Sequence, residues 1–397
     1  MSGAKIKGWC PSLFEPMAAG DGLLVRVKPR VEGISAAQLR ALGDAARKYG
    51  SGRIEITNRA NFQARGFAPE SVAPFAVTML EAGLASADPA AERRRNIIVA
   101  PGLGAEMMGF ARQLEAWLEQ DDSLQALPTK FGYAVGEVAE VADLCILPGG
   151  DAPLVVLPGH CSVPAADPVA VAQALTHAFL RQAGDLTPRP RRLRDLLAAT
   201  GPDVFCAIAG LKMPSLVPTE VQPIVGVGTM PGAFGLGLAF DAQTADMLRH
   251  AADLAERFGN GRLRTTSAGT LVLLGTGDNP AGLAEAARGQ NFIIDPSDKR
   301  TRIKACAGRP SCPSALADVR AVAAGLAPLW AGVGVLHVSG CSKGCAAPGG
   351  AAVTLVATGW EDRFDIVCDK RADALPERAG VSLPDAIHWM TERHFCR

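Results

Sequence analysis

The sequence predicts an α+β fold that arose by duplication, with closely spaced cysteines in the second half only. The segment 50–66 aligns without gaps on 259–275 at an offset of 209 residues, so that Gly52 meets Gly261 and Thr57 meets Thr266. Each copy has the pattern strand, helix, strand, turn, strand, which is about half of a small sheet. We therefore expect two half-domains that complete one another.

The predicted elements come in the same order in both copies. In the first copy, a strand at 23–28 precedes a helix that Ser35 caps, and Gln38 is placed to complete a capping box. In the second copy, a strand at 236–240 precedes a helix that Thr244 caps. Apolar residues recur at helical spacing after both caps, so each helix has one buried face.

The segments that follow the two copies also correspond. Both 95–102 and 291–298 place a pair of isoleucines, typical of a strand, before a loop that contains proline. A stretch rich in proline and charge at 184–200 predicts a linker. The predicted units are 1–80 (first half-domain), 81–228 (first α/β domain), 229–290 (second half-domain) and 291–397 (second α/β domain).

The two copies differ in polarity along one predicted strand face. The first copy has four polar residues at alternate positions, and the second copy has less polar ones: Arg59, Asn61, Gln63 and Arg65 against Ala268, Thr270, Val272 and Leu274. An exposed strand position would explain any one of these arginines. The difference between the copies favours a ligand-binding surface on the first.

Four cysteines near the C-terminus form the most informative motif. Cys306 and Cys312 are spaced C-x5-C, Cys341 and Cys345 are spaced C-x3-C, and 28 residues separate the pairs. Four thiolates are the usual ligands of a [4Fe–4S] cluster. A structural zinc site normally has shorter C-x2-4-C spacings, and unrelated core cysteines are the remaining alternative. The spacing favours the iron–sulfur cluster.

Composition excludes several other classes of protein. Lys plus Arg and Asp plus Glu number 40 each, so no net charge points to nucleic acid or to a membrane surface. The first sixteen residues contain no apolar core of a secretory signal. The apolar stretch 321–340 contains several glycines and a proline, which favours a helix end, a turn and a buried strand over a bilayer span. We expect a cytoplasmic protein with reduced thiols.

The cysteine spacings, the duplication and the strand T-N-R-x-x-F-Q at 57–63 together resemble the sulfite and nitrite reductase family. The resemblance implies a pseudo-twofold α+β fold in which two ferredoxin-like half-domains form one sheet, flanked by two α/β domains, the second with the cluster. Members of that family bind siroheme beside a [4Fe–4S] cluster. The length and the segment CPSLFEPMAAGDGLLVRVKP that begins at Cys10 are most similar to the precorrin-3B synthases of aerobic cobalamin biosynthesis.

The second resemblance implies a monooxygenase. Such an enzyme hydroxylates precorrin-3A at C20 and closes a γ-lactone, with O2 and an external electron donor, either an NADH-dependent reductase or a ferredoxin-like protein. It holds a [4Fe–4S] cluster and a mononuclear non-haem iron, without siroheme. No histidine has the spacing of a known iron motif; His337, before Cys341, is better explained as a buried histidine bonded to backbone. No dinucleotide fingerprint is present, in keeping with an external donor.

The family's tetrapyrrole-binding and anion-binding residues can be matched by position. They correspond to Arg26, Arg59, Arg95 and Lys130, to which the polar strand face adds Asn61, Gln63 and Arg65. The family's second lysine, which helps to hold sulfite or nitrite, is Gly132 here. This departure bears differently on the two alternatives. It disfavours a siroheme-dependent sulfite or nitrite reductase, but it does not bear on a non-catalytic electron-transfer protein. The second alternative would leave the asymmetric arginines without a role.

Overall fold

Four five-stranded sheets carry the fold in the computed structural model, which describes residues 10–139, 141–211, 226–290, 292–359 and 362–393. The predicted α+β class with a duplicated reductase-like fold is confirmed. Residues 1–9 lie outside this description. They are part of the N-terminal segment for which the sequence predicts no secretory signal. No helix in the described ranges is long and apolar enough to cross a membrane.

The helices and strands fall into four sets along the chain. The first half-domain contains β1 (Met17–Ala19), β2 (Gly22–Val27), β3 (Ile34–Ser35), α1 (Ala36–Tyr49), β4 (Arg53–Ile56), β5 (Phe62–Phe67) and α2 (Pro69–Glu81). The first α/β domain contains α3 (Pro89–Arg94), β6 (Ile97–Val99), α4 (Ala105–Gln120), β7 (Tyr133–Val135), β8 (Leu144–Leu147), β9 (Leu154–Leu157), β10 (Cys161–Pro164), α5 (Pro168–Gly184), α6 (Leu193–Thr200) and α7 (Pro202–Ile208).

The second half of the chain repeats this plan. The second half-domain contains β11 (Gly228–Met230), β12 (Ala233–Leu236), β13 (Ala242–Thr244), α8 (Ala245–Phe258), β14 (Arg262–Thr265), β15 (Leu271–Leu274) and α9 (Pro280–Arg288). The second α/β domain contains β16 (Ile303–Ala305), α10 (Val319–Leu326), β17 (Leu336–Ser339), β18 (Ala351–Ala357), β19 (Arg363–Lys370), β20 (Arg378–Ser382) and α11 (Leu383–Glu392). The domain boundaries stay predictions; α2 and β11 each extend one residue across them.

The two half-domains form two sheets, which corrects the prediction of one. The strand orders are β1-β2-β5-β4-β13 and β11-β12-β15-β14-β3, so each half-domain lends the short strand before its helix to the other. The Ala36 N–H donates to the Gly261 carbonyl at 2.8 Å, and the Ala245 N–H donates to the Gly52 carbonyl at 3.2 Å. The physical reason is that these strands satisfy the backbone of the opposite edge strand, which would otherwise be unpaired.

Helices α1 and α8 pack against each other across the same pseudo-twofold axis. The predicted caps are confirmed: Ser35 forms a capping box with Gln38, and the Thr244 hydroxyl accepts from the Met247 N–H. Their ion pairs are reciprocal, because Arg40 pairs with Asp253 at 2.6 Å and Arg249, 209 residues after Arg40, pairs with Asp44. The offset found in the sequence is therefore the symmetry of the structure.

The two α/β domains also share one topology. Strands β6, β7 and β8 are parallel and β9 and β10 complete their sheet antiparallel, as do β16, β17 and β18 with β19 and β20. The strand predicted at 291–298 is absent from the described part of that segment, where Ile293 forms only an isolated bridge to Gly237. The first strand of the second α/β domain is β16 instead. Asn291 lies outside the described residues.

Two further predictions about segments are corrected. The strand predicted at 236–240 is β12, which ends at Leu236; Phe240 has φ 58°, so the chain turns there instead. The stretch 184–200 predicted as a linker ends in α6, and Arg192 ties it to Asp143 by an ion pair of 2.9 Å. The apolar stretch 321–340 contains the end of α10 and the buried strand β17, as predicted.

Arg95 joins the first half-domain to the first α/β domain. Its side chain is 1% exposed, pairs with Glu92 at 2.9 Å and Glu115 at 3.2 Å, and donates to the carbonyls of Lys28 at 2.8 Å and Pro29 at 2.9 Å. These contacts contradict the predicted role of Arg95 in binding substrate carboxylates, because its guanidinium serves protein acceptors in a buried network.

We predict that Arg95→Met lowers the free energy of unfolding by about 3–5 kcal/mol, because Glu92 would be left buried without its partner. Arg47→Met is the control, since Arg47 forms an exposed pair with Asp246 that should contribute about 1 kcal/mol or less. Urea denaturation of the two variants measures both values. Equal losses would show that the Arg95 network contributes no more than a surface pair.

Candidate active site

The four motif cysteines lie in two loops at one edge of the last sheet. Cys306 follows β16 directly and Cys341 lies two residues after β17, and these strands are parallel neighbours. Because the carboxyl ends of parallel neighbours meet at one edge of a sheet, the loops are adjacent. The Gly340 N–H donates to the Cys306 sulfur at 3.3 Å, and the Leu316 N–H donates to the Gly340 carbonyl at 2.8 Å.

The thiols are close enough to affect one another's ionisation. Burial raises the pKa of Cys306, and the neighbouring Cys312 and Cys341 raise it further. Burial raises the pKa of Cys345 to about 11, with contributions from the other three cysteines and an opposing one from Lys343. None of the described cysteines forms a disulfide. The structure thus gathers the four thiols that the spacing selected.

The arrangement can be tested against the groups that four cysteines hold. Within the described ranges, no three His, Cys, Asp or Glu side chains converge closely enough to hold a single metal ion. Gly340 lets the two loops approach each other closely: a Cβ there would lie 2.7 Å from the Ala315 Cβ and 3.5 Å from the Cys306 sulfur. Four cysteine thiols in two adjacent loops are a donor set of the kind that holds a [4Fe–4S] cluster.

Arg59 lies in a turn and not on a strand, although the sequence pattern predicted alternation from 59 to 65. The turn spans Thr57 to Asn61, with Ala60 at φ 55°, and β5 begins only at Phe62. The Thr57 N–H donates to the Asn61 carbonyl at 2.9 Å, and the Thr265 hydroxyl of the other half-domain donates to the Ala60 carbonyl at 2.6 Å. Both half-domains therefore fix the position of Arg59.

The Arg59 side chain is half-buried and forms no salt bridge with any residue that the structure describes. Partial burial lowers its pKa to about 10; the charges of Arg192 and Arg26 lower it too, while Cys10 and Asp143 oppose them. Taking a charge out of water without giving it a partner is costly, so a partly desolvated cation of this kind is typical of a site for an anionic ligand. Arg59 is thus the residue of the predicted set with the strongest physical case for binding an anion.

Gly132 provides the space that Arg59 occupies. A Cβ at position 132 would lie 3.0 Å from Nη1 of Arg59. The Gly132 N–H donates to Asp143 Oδ2 at 2.9 Å, which fixes the backbone under the guanidinium. A longer side chain here would require the end of the Arg59 side chain to shift by a few tenths of an ångström. The absence of the second lysine therefore has a steric meaning that the sequence alone did not show.

Four other predicted residues lie on segments near Arg59, three of them on the first half-domain and Lys130 in the loop that contains Gly132. Arg26 is close enough to affect the pKa of Arg59, and its Nε donates to Gln63 Oε1 at 3.1 Å. Lys130 is half-buried, two residues before Gly132. Asn61 is buried at the end of the turn. The structure brings Arg26, Arg59 and Gln63 together on the first half-domain, with Lys130 on the neighbouring domain.

Arg65, by contrast, is committed to protein partners. It pairs with Asp21 at 3.0 Å and Glu55 at 3.4 Å, and Nη2 donates to the Ser311 carbonyl at 2.6 Å. These contacts contradict its predicted role in binding substrate. The alternation of polar residues could not reveal this, because Ser311 lies 246 positions away in the chain.

The structure adds residues that the sequence pattern missed. Lys28 is buried and donates to the carbonyls of Glu92 at 2.7 Å and Arg93 at 2.8 Å, and burial lowers its pKa to about 7. Its position two residues after Arg26, within the strand predicted at 23–28, is the signal that could have indicated it; in the structure β2 ends at Val27. Cys10 lies within electrostatic range of both Lys28 and Arg59.

His337 differs from expectation. It is fully buried, as predicted, but neither ring nitrogen has a hydrogen-bond partner among the described residues. Burial lowers its pKa to about 4, so the ring is neutral. Its neighbour on the adjacent strand β18 is Thr354, whose hydroxyl also has no hydrogen-bond partner among the described residues.

Comparison with known proteins supports the duplicated fold. The sequence profile of the nitrite/sulfite reductase ferredoxin-like half domain matches residues 15–82 and 241–279. The solved structure of the Mycobacterium tuberculosis NirA protein superposes with a TM-score of 0.74 at 19% identity, covering 93% of this chain and 79% of that one. At this identity the superposition supports the fold alone.

Two curated relatives narrow the family. A ferredoxin–nitrite reductase of Synechococcus elongatus is 25% identical over 86% of this chain and 77% of its own length. A precorrin-3B synthase from a Sinorhizobium species is 30% identical over 93% of this chain and 84% of its own length. The chain belongs to the precorrin-3B synthase family of oxidoreductases, built on the duplicated fold of the nitrite and sulfite reductases.

Proposed function

We propose that the chain is a precorrin-3B synthase, which hydroxylates precorrin-3A at C20 and closes a γ-lactone with an acetate side chain, using O2. The relative of that name supports the proposal across nearly the whole chain. The structural observation that carries it is the half-buried Arg59 guanidinium, which packs on Gly132 and has no salt bridge among the described residues. This is a cation prepared for a carboxylate-bearing ligand in the place where a reductase would have two cations.

The chain's own residues account for binding of the substrate. Precorrin carries several acetate and propionate groups, and a guanidinium fork pairs with carboxylates bidentately. Arg59 would take one carboxylate, and Arg26, held by Gln63, would take another. Lys130 and Asn61 would complete the polar edge. A carboxylate on Arg59 would offset the cost of its partial burial, because part of its desolvation precedes binding.

Cys306, Cys312, Cys341 and Cys345 would hold a [4Fe–4S] cluster, which when bound supplies electrons one at a time. Holding iron requires thiolates, and two features of the chain favour them. The Gly340 N–H donates to the Cys306 sulfur, and the charge of Lys343 favours the thiolate of Cys345. The mononuclear iron implied by the resemblance finds no ligand set within the described ranges, so we propose no role for it.

An external protein would deliver the electrons. The sequence has no dinucleotide-binding fingerprint, so the donor would be a ferredoxin-like protein or an NADH-dependent reductase. Thiolate ligands for iron suit the reducing conditions of the cytoplasm, which is the setting we propose. Gly132 disfavours siroheme-dependent reduction of sulfite or nitrite, because the second cation of the anion site is missing.

The function is tested with anaerobically purified protein, by its absorption spectrum and by counts of iron and acid-labile sulfide. We expect a broad absorption that bleaches on reduction, and a product of precorrin-3A that contains one atom from 18O-labelled O2 when a chemical reductant is present. Intense macrocycle bands together with turnover of sulfite or nitrite would instead establish a siroheme reductase. Iron without either activity would leave an electron-transfer protein.

We predict that Arg59→Met weakens anaerobic binding of precorrin-3A by about tenfold or more, since a charge-assisted bond contributes about 1.5–3 kcal/mol. Calorimetric titration measures the affinity, and the cluster spectrum should not change. Arg112→Met, which removes an exposed arginine of α4 paired with Glu32, is the control and should bind normally. Unchanged affinity in the Arg59 variant would remove it from the substrate site.

We predict that Gly132→Ala folds normally but weakens precorrin-3A binding by about threefold to tenfold, because the new methyl group shifts the Arg59 fork. The free energy of unfolding should change by about 1 kcal/mol or less, since position 132 does not have a positive φ. Gly109→Ala on α4 is the matched control, because no atom lies within 4 Å of its Cβ position. Equal affinities in the two variants would contradict the steric link between Gly132 and Arg59.

A further inference from the structure

The first half-domain holds the loop that carries the C-x5-C motif. Three donors converge on Ser311, the residue before Cys312. Its carbonyl accepts from Arg65 Nη2 at 2.6 Å and from the Gly20 N–H at 3.1 Å. Its hydroxyl accepts from Arg53 Nη1 at 2.8 Å. The loop therefore rests on a sheet that is remote in sequence.

A buried ion network supports this contact. The Arg65 side chain is 4% exposed and its remaining donors go to Asp21 and Glu55. Glu55 also pairs with Arg320 at 2.5 Å, and Arg320 lies in the first turn of α10, the helix that follows the loop. One network therefore fixes both the middle of the loop and the helix after it. We call Asp21, Glu55, Arg65 and Arg320 the loop clamp.

The loop clamp breaks the symmetry of the fold. At the equivalent positions of the second half-domain, Leu274 replaces Arg65 and Arg264 replaces Glu55. Arg264 donates to the Ala100 carbonyl at 3.0 Å, in the loop after β6 that corresponds to the cysteine loop but has no cysteine. The same frame thus contacts both loops, and only the cysteine loop is held by paired charges of both signs.

We infer that Arg65 is a positioning residue for the iron–sulfur cluster, which it serves by fixing the Ser311 carbonyl and with it the orientation of the Cys312 thiol. Inside the loop, the Cys312 N–H donates to the Gly308 carbonyl at 2.7 Å and the Ala315 N–H donates to the Cys312 carbonyl at 3.0 Å. The cysteine is therefore part of a rigid turn whose outer contact is Arg65. This inference rests on the proposed cluster ligands.

The first test uses protein freed of iron, so that it does not depend on the cluster. Arg65→Met should increase hydrogen–deuterium exchange of peptides within 306–316 by about tenfold, because a charged hydrogen bond to the loop is lost. Arg264→Met is the matched control: it removes a buried arginine bound to carbonyls in the half without the cysteine motif and should leave that peptide unchanged. Equal exchange in Arg65→Met and wild type would overturn the inference.

The second test follows iron and acid-labile sulfide in the reconstituted protein during incubation with a chelator. We expect Arg65→Met to lose its cluster about tenfold faster than wild type and than Arg264→Met, and Arg65→Lys to restore part of the lifetime through a single charged donor. Equal loss from the Arg65 and Arg264 variants would reduce Arg65 to a general stabilising role and contradict the inference.

A milder variant covers the case in which Arg65→Met does not fold. Arg53→Met removes only the donor to the Ser311 hydroxyl from an exposed strand end, and should shorten cluster lifetime by about threefold. An unchanged lifetime would again contradict positioning through Ser311. If wild-type protein binds no iron and sulfide at all, the proposed cofactor fails, while the exchange experiment still decides whether the loop clamp exists.

Discussion

The exchange of a short strand between the two half-domains is the constraint on which the rest of the structure depends. Strands β3 and β13 satisfy backbone groups of β14 and β4 in the opposite half, and the helices that follow them pack together. Separation of the two half-domains would leave a sheet edge unpaired and a helix face exposed in each. Because both α/β domains extend from these sheets, their loops acquire fixed places on a common pseudo-twofold frame.

Function arises where chemistry departs from that symmetry. The turn that presents Arg59 has Ala268 at the equivalent position, whose carbonyl accepts from Lys304 at 3.0 Å. One turn therefore offers a cation towards a ligand, and the other uses its backbone to anchor a strand of the cysteine-bearing domain. In the same way the loop after β6 keeps Ala100 where the loop after β16 has Cys306. Duplication provided two equivalent positions in each case; we propose a binding role for one, and the structure shows a supporting contact at the other.

Sequence patterns predicted what is local and failed where partners are remote. Continuous stretches of sequence are enough to show the repeat at an offset of 209 residues, the Ser35 cap and the cysteine spacings. The structure contains the repeat and the cap. The direction in which an arginine side chain points depends on which acceptors the fold places within its reach. Arg95 forms a salt bridge with Glu92 and Arg65 forms one with Asp21, so both guanidinium groups bind protein carboxylates. Arg59 forms no salt bridge with a carboxylate of the described residues, so its guanidinium is available to a ligand. The exchange of strands was equally hidden, because two or three residues before a helix carry no periodicity.

The contact between Gly132 and Arg59 explains how one platform can serve two kinds of ligand. A Cβ at position 132 would approach Nη1 of the guanidinium to 3.0 Å, so a longer side chain at 132 would require the end of the Arg59 side chain to shift by a few tenths of an ångström. Two cations side by side concentrate charge, which suits a small oxyanion. In the function we propose, one half-buried guanidinium, with Arg26 and Lys130 on neighbouring segments, would distribute charge over a wider surface, as the carboxylates at the rim of a macrocycle require. We therefore propose that Gly132 changes the ligand preference of the site without altering the fold that supports it.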